Sequence, residues 1–284
     1  MGVEAHRDRF EDRLLRVLVH IHDHPEQDLS LDTLADMACV SRFHFHRIFR
    51  ALTGETLADA TRRIRLLRAA NALVTGEAPL AEVAKQYGYP NVSSFSRAFL
   101  ANHGMSPGVF RRYGEEIAEK LFQAPGNSNL FNVRIQQLPP CRAAGIVHRG
   151  PYTELARSFQ MLGAVLGTRG LFTRTHGVFA VHHDFPGSKP EPEMRAHAAV
   201  FISGDFPRGI EDLEYFDVAG GRYAILEHTG PQATLGSAYA WLYGTWLPQS
   251  SEEPEDLPPI ELYISDPRTT PPQALRTDLR LPLV

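Results

Sequence analysis

VAKQYGYPNVSSFSRAFLANHG (83–104) decides the fold of the front part of this chain. A short amphipathic segment carrying Ala84 leads into a turn and then a polar N-cap. A second helix follows, with Phe95, Ala98 and Phe99 at core spacing. Arg97 stands two residues before Phe99, and Gly104 follows it by five, where a helix-ending glycine belongs. The same plan recurs in LADMACVSRFHFHRIFRALTG (34–54), with Ala35, then Phe45, Ile48 and Phe49, Arg47, and Gly54. Two helices joined by a tight turn form a helix-turn-helix unit, whose second helix is shaped for the DNA major groove. Cys39 stands opposite Gly88, at a turn position where glycine often supports positive φ. The first turn is therefore expected to differ from the second.

Between the repeats, Leu57–Thr75 reads as one continuous helix, with Ile64, Leu67, Ala70 and Leu73 inward and Arg62, Arg63, Arg65 and Arg68 largely outward. Such a spacer would hold two recognition helices apart. Successive major-groove faces lie about 34 Å apart, so one chain suffices for two turns of DNA, without excluding a dimer. Charge agrees in its distribution. The chain has a net charge of −4, but 38–113 hold 11 Lys/Arg against 4 Asp/Glu, enough to neutralise several phosphates. The remainder, 123–284, is weakly acidic and no candidate for DNA.

At 284 residues with 43% apolar composition, the chain can fill two cores. No apolar run approaches the roughly 20 residues of a membrane span, and the charged N-terminus lacks a signal-peptide core, which predicts a cytoplasmic protein. Cys39 and Cys141 match no zinc or redox spacing. His20, His22 and His24 have no acidic or cysteine partner placed by sequence, so they read as packing histidines; no metal and no cofactor is expected. The expected domains are 1–122, all-α, and 131–284, joined by a linker at 123–130 containing Pro125-Gly126-Asn127-Ser128.

A second repeat fills the C-terminal part. VHRGPY (147–152) recurs as EHTGPQ (227–232), placing His148 and His228 80 residues apart. Leu155, Phe159, Leu162 and Leu166 match Leu235, Tyr239, Leu242 and Trp246 at the same offset. Runs of β character flank each helix in the order β-β-α-β-β, twice. The expected fold is α+β, two similar halves about a pseudo-twofold axis with a cleft between them. The two histidines read as scaffold, each bonding backbone near its Gly-Pro turn. In PIELYISD (259–266) alternation sets Glu261, Tyr263 and Ser265 on one face. Alignment with GVFAVHHD (177–184) sets Phe179 opposite Glu261.

The run from 31 to 113, ending in Gly104-Met105-Ser106-Pro107 and Arg111, resembles the AraC/XylS family of regulators. The two His-x-Gly-Pro motifs, Trp241, Trp246 and PIELYISDP (259–267) are similar to the gyrase-inhibitor-like effector domain. The first resemblance implies DNA recognition by Arg42, Phe43, His46 and Arg47 in one unit and by Val92, Ser93, Ser94, Ser96 and Arg97 in the other. Arginine suits guanine O6/N7, serine suits several base edges, and valine suits a thymine methyl. Arg50, Arg62 and Arg112 suit phosphates, which position without reading sequence. The second resemblance implies a hydrophobic or cationic ligand at Glu261, drawn by charge and by cation–π contact with Tyr152, Trp241, Trp246 and Tyr263.

The implied function is a ligand-controlled transcription regulator, an activator by family analogy, acting on double-stranded DNA and on RNA polymerase. Two alternatives stand beside it: a small-molecule hydrolase in which Glu261 activates water, and a C-terminal domain that binds a protein partner and no ligand. No Ser-His-Asp order, phosphate loop or metal spacing supports catalysis, so no enzyme is expected.

Overall fold

A computed structural model describes residues 2–27, 29–53, 55–112, 114, 131–184 and 189–284; at 2–11, 14, 43, 44, 46, 47, 51, 52 and 75 it gives the backbone alone. The expected linker at 123–130 lies outside the described residues. The front part is helical: α1 (Gly2–Asp23), α2 (Leu31–Met37), α3 (Arg42–Thr53), α4 (Leu57–Thr75), α5 (Leu80–Gln86) and α6 (Val92–His103), with a further helical stretch at 107–112. Short polar side chains start these helices. Ser30 accepts from the Thr33 amide (3.2 Å), Thr56 from that of Asp59 (3.2 Å), and Asn91 from that of Ser94 (2.8 Å). Gly104 ends α6 in the left-handed region at φ +68°.

The two helix-turn-helix turns are the same, contrary to the expected difference. Cys39 N–H donates to Asp36 O (2.9 Å) and Val40 N–H to Ala35 O (3.1 Å); Gly88 N–H donates to Lys85 O (3.1 Å) and Tyr89 N–H to Ala84 O (2.9 Å). Cys39 adopts φ +53° beside φ +76° at Gly88. The first turn therefore keeps its shape by forcing a cysteine into a conformation that costs an L-residue about 1–2 kcal/mol.

Helix α4 spans the expected residues, with Ile64, Leu66, Ala69, Ala70 and Leu73 buried. Its arginines do not all point outward. Arg63 pairs with Glu55 (2.5 Å), Arg65 donates to Pro25 O (2.6 Å) and Gln27 O (3.0 Å), and Arg68 donates to His22 O. Backbone carbonyls and a carboxylate draw them in, leaving Arg62 as the exposed one of the four. Part of the basic patch is thus internal bracing.

All eight expected β runs are strands: β1 (Asn132–Leu138), β2 (Cys141–Arg149), β3 (Thr175–His182), β4 (Arg195–Ile202), β5 (Glu214–Val218), β6 (Gly221–Thr229), β7 (Ile260–Tyr263) and β8 (Arg276–Leu283). They form one antiparallel sheet in the order β1-β6-β8-β7-β3-β4-β2-β5. Helix α7 (Leu155–Thr168) follows β2. Helix α8 (Leu235–Trp241) follows β6 and runs on through a π-helical turn (Leu242–Trp246).

The repeat alignment that matched Phe179 with Glu261 does not carry over to the faces of the sheet. In the antiparallel pairing of β3 with β7, Glu261 lies across from Ala180, and Phe179 across from Leu262. Phe179 thus lies on the face opposite Glu261, stacked on Phe201 with ring centres 4.2 Å apart. A slip of one residue reverses every side chain of a strand.

The helical part and the sheet part share a core. Leu18, Ile21, Phe45, Phe49 and Ile64 belong to one apolar cluster with Leu162, Val165, Leu166, Ile146 and Val200. Helices α1 and α3 both pack on α7. Arg157 pairs with Asp23 (3.1 Å) and Arg68 with Glu154 (3.4 Å) across the join.

Candidate functional site

A cavity of about 1840 Å³ opens between the helical part and the sheet. Its sides are α7, through Phe159, Leu162 and Gly163, and α8 with its π-helical continuation, through Gly236, Tyr239 and Tyr243. Its floor is β3 and β7, through His182, Glu261 and Tyr263. Its roof is the front part: Arg63, Leu67 and Asn71 of α4, Thr53 at the end of α3, and Asn102 and His103 at the end of α6. Exposed Phe172, Val178 and Ile264 also belong to its lining.

Glu261 is the centre of its chemistry. Beta alternation points it at the helices, and the small Ala180 beside it leaves room above the strand. It is 6% exposed. Tyr263 Oη donates to Glu261 Oε2 (2.8 Å), and His182 Nε2 lies 3.1 Å from Oε1 without hydrogen-bond alignment. The Tyr239 hydroxyl is buried beside the same carboxylate. Burial pushes the carboxyl up, but the His182 charge and the hydroxyls of Tyr263 and Tyr239 outweigh it and hold the group below the ordinary glutamate range. Burial, then the neighbouring Glu261, push both tyrosines well above the usual phenol range, so they remain neutral donors. A charged carboxylate walled by rings favours a cation with apolar bulk.

Of the expected ligand residues, Glu261, Tyr263 and Tyr152 line this cavity. Tyr152 spends its hydroxyl on the carbonyls of Asp184 (2.6 Å) and Arg195 (2.8 Å) and turns its ring edge-on to His182 at 4.5 Å. Trp241 and Trp246 do not line it. Residues 235, 236, 239, 240 and 243 make the cavity face of α8 and its continuation, and Trp241 lies two residues round from Tyr239, on the far side. It packs edge-on to Phe131 at 5.4 Å, and Trp246 borders the same core cluster. Sequence reading missed His182, Tyr239 and Tyr243 as lining. The four-residue spacing of the two tyrosines on a helix was the available signal.

His148 and His228 hold the scaffold. His148 Nε2 lies 3.0 Å from Pro151 O, and His228 Nε2 3.0 Å from Thr234 Oγ1, which donates to Pro231 O (2.7 Å). Burial lowers His148 and takes His228 down to about 4, so both are neutral at pH 7.

On the outer surface of the front part, Arg42, Arg50, Arg62, Ser93, Arg97 and Arg112 are exposed, and Val92, Ser94 and Ser96 are half-buried. Ser94 serves the cap, its hydroxyl donating to Asn91 O (2.9 Å). Arg42 lies 3.6 Å from Asp32, and Arg62 3.5 Å from Asp59, both in open solvent. The side chains of Phe43, His46 and Arg47 lie outside the described residues. Ser93, Arg97 and Leu100 follow one another along one face of α6, each exposed. Among the described residues no group of His, Cys, Asp and Glu is arranged to hold a metal ion, and no helix is long and apolar enough to cross a membrane.

Residues 34–113 match the family described as a helix-turn-helix domain, and 131–284 match the GyrI-like small molecule binding domain. The chain is 33% identical over 99 residues to transcriptional regulator Rob of Salmonella typhimurium, covering 35% of this chain and 34% of Rob. It therefore spans about a third of the length of that relative. It is 35% identical over 95 residues to regulatory protein SoxS of Escherichia coli, covering 34% of this chain and 89% of SoxS. Among solved structures, a cryo-EM structure of an EcmrR–DNA complex is similar at 15% identity and a TM-score of 0.46, covering 88% of this chain and 84% of that one.

Proposed function

Because the chain belongs to the GyrI-like small molecule binding domain family and carries the helix-turn-helix domain of AraC/XylS regulators, we propose that it is a sequence-specific, DNA-binding transcription regulator controlled by a hydrophobic cation. Residues 1–122 are the DNA reader and 131–284 the effector module. The observation that carries the reading is the pairing of two helix-turn-helix units of one turn geometry with a cavity built around a buried, charged Glu261. Arg42, Phe43, His46 and Arg47, together with Val92, Ser93, Ser96 and Arg97, are assigned to reading bases; Arg50, Arg62 and Arg112 to holding phosphates. Ser94 supports the start of α6. Glu261, Tyr263 and Tyr152 receive the ligand, joined by Tyr239 and Tyr243. RNA polymerase is the protein partner and activation the sign, by analogy with the family; the chain works in the cytoplasm and needs no second copy to span two grooves.

The effector module reads as two related β-β-α-β-β halves. What supports this is the strand order: exchanging β1–β4 with β5–β8 and reversing the list returns the same order. Hydrolysis gains no support, because a carboxylate held below its ordinary range is a poor general base.

The test uses the full chain. Genomic fragments retained at physiological salt should share a motif with two elements roughly one helical turn apart. Retention that follows fragment length alone would sink the DNA reading. Tetraphenylphosphonium should bind, and Glu261→Gln should weaken it at least tenfold; equal affinity in the variant would sink the ligand reading.

A further inference from the structure

The strand that carries Glu261 and Tyr263 runs directly into a loop, residues 264–275, that touches the C-terminal ends of both recognition helices. Arg268 Nη1 donates to Thr53 O (2.9 Å), the last residue of α3. A cation there satisfies a carbonyl left without an intrahelical partner and meets the negative end of the helix dipole. Five residues on, the Gln273 amide lies against Gly104, the left-handed residue that ends α6: a Cβ on that glycine would sit 3.0 Å from Gln273 Nε2. That nitrogen is buried with no hydrogen-bond partner, a spare donor beside the end of the helix.

The loop is stiff. Asp266 Oδ1 accepts from the Arg268 amide (2.8 Å) and Nε (3.0 Å), and its Oδ2 from Nη2 (2.7 Å), so one carboxylate fixes both the backbone and the guanidinium. The amides of Thr269 and Thr270 donate to Asp266 O (3.1 and 3.0 Å), and Pro271 and Pro272 fix two further φ angles. Its base is closed by Ile264 N–H to Arg276 O (2.9 Å), and Gly230 of the second His-x-Gly-Pro motif donates to Leu275 O (2.9 Å). Residues 264–272 and 275 line the cavity beside Thr53, Asn102 and His103.

We propose that loop 264–275 is the coupling element of this protein: occupancy of the cavity moves β7 and this loop together, and Arg268 and Gln273 pass the displacement to the ends of α3 and α6. The inference rests on the cavity being the effector site. It explains how one site reaches two separate readers, since both end on one stiff piece of chain. Coupling of this kind requires only that the occupied and empty cavities favour different placements of the loop.

The experiment is hydrogen exchange on the full chain, read at amides 50–55 and 100–105, with two independent occupants. One is tetraphenylphosphonium at saturation. The other is an indole added to the cavity wall by Gly236→Trp, where a new side chain meets open space; Ala240→Phe replaces it if that variant does not fold. Either occupant should change exchange at both helix ends at least fivefold, and the paired Arg268→Ala, Gln273→Ala variant should reduce that response to less than twofold. No response at either end, or a response that survives the paired variant, overturns the coupling. If tetraphenylphosphonium fails to bind while the indole still produces the response, the ligand reading falls and the coupling stands.

Discussion

In the first helix-turn-helix unit the left-handed turn residue is Cys39; in the second it is Gly88, and the hydrogen bonds on either side are the same. The first unit is buttressed from outside, its α3 packed on α7 of the GyrI-like domain and its core continuous with that domain. The second carries its own aromatic core, in which Phe95 and Phe99 lie 5.4 Å apart and Phe99 and Phe110 5.2 Å apart. A strained turn is thus tolerated where tertiary packing is heavy, while the unit with its own aromatic core keeps the residue its turn requires.

The largest test of this contrast is Gly88→Ala. Its Cβ would lie 2.7 Å from both Arg65 Cζ and Pro25 O in a left-handed backbone, so thermal unfolding should show a loss of about 3 kcal/mol. An unchanged midpoint would mean that the second turn is not held as described. Next comes pH. His103, at the end of α6, is lowered by burial to about 4, against about 6.5 when unfolded. Well above pH 6.5 it contributes no slope. As pH falls from 6.5 toward 4 the unfolded chain binds the extra proton and stability drops, by about 2 kcal/mol between pH 7 and 5. Urea unfolding of His103→Leu should lack that part of the slope.

Binding gives a third test. Arg97→Ala should weaken a selected site by about tenfold or more and relax one base position, whereas Arg112→Ala should weaken all sites alike and lower the salt slope by about 1. Similar effects from the two would remove the distinction between reading and positioning. Smaller still, Cys39→Gly should stabilise the protein by about 1 kcal/mol by releasing the first turn. Arg42→Ala should change stability by less than about 0.5 kcal/mol, because its pair with Asp32 is solvent-exposed.

The strands, the boundaries of α4 and both recognition helices were legible because period and capping residues are local properties. Register was not. Which residue of β7 lies across from which residue of β3 depends on a partner about 80 residues away, and Phe179 lies on the face away from Glu261. The inward turn of Arg63, Arg65 and Arg68 was equally hidden, since their acceptors Glu55, Pro25, Gln27 and His22 come from other elements. Glu261 was readable from alternation and from family likeness together. Trp241 misled because aromatic character does not say which side of a helix faces the void.

The apolar cluster that runs from α1 through α3 and α4 into α7 has a consequence for how this protein melts and diversifies. Calorimetry should record one heat-absorption peak, with no separate transition for the helical part. A recombinant that exchanged the sheet domain for an unrelated one would strand Leu18, Ile21, Phe45 and Phe49 against a foreign surface. Helical part and sheet domain must therefore be inherited as a matched set.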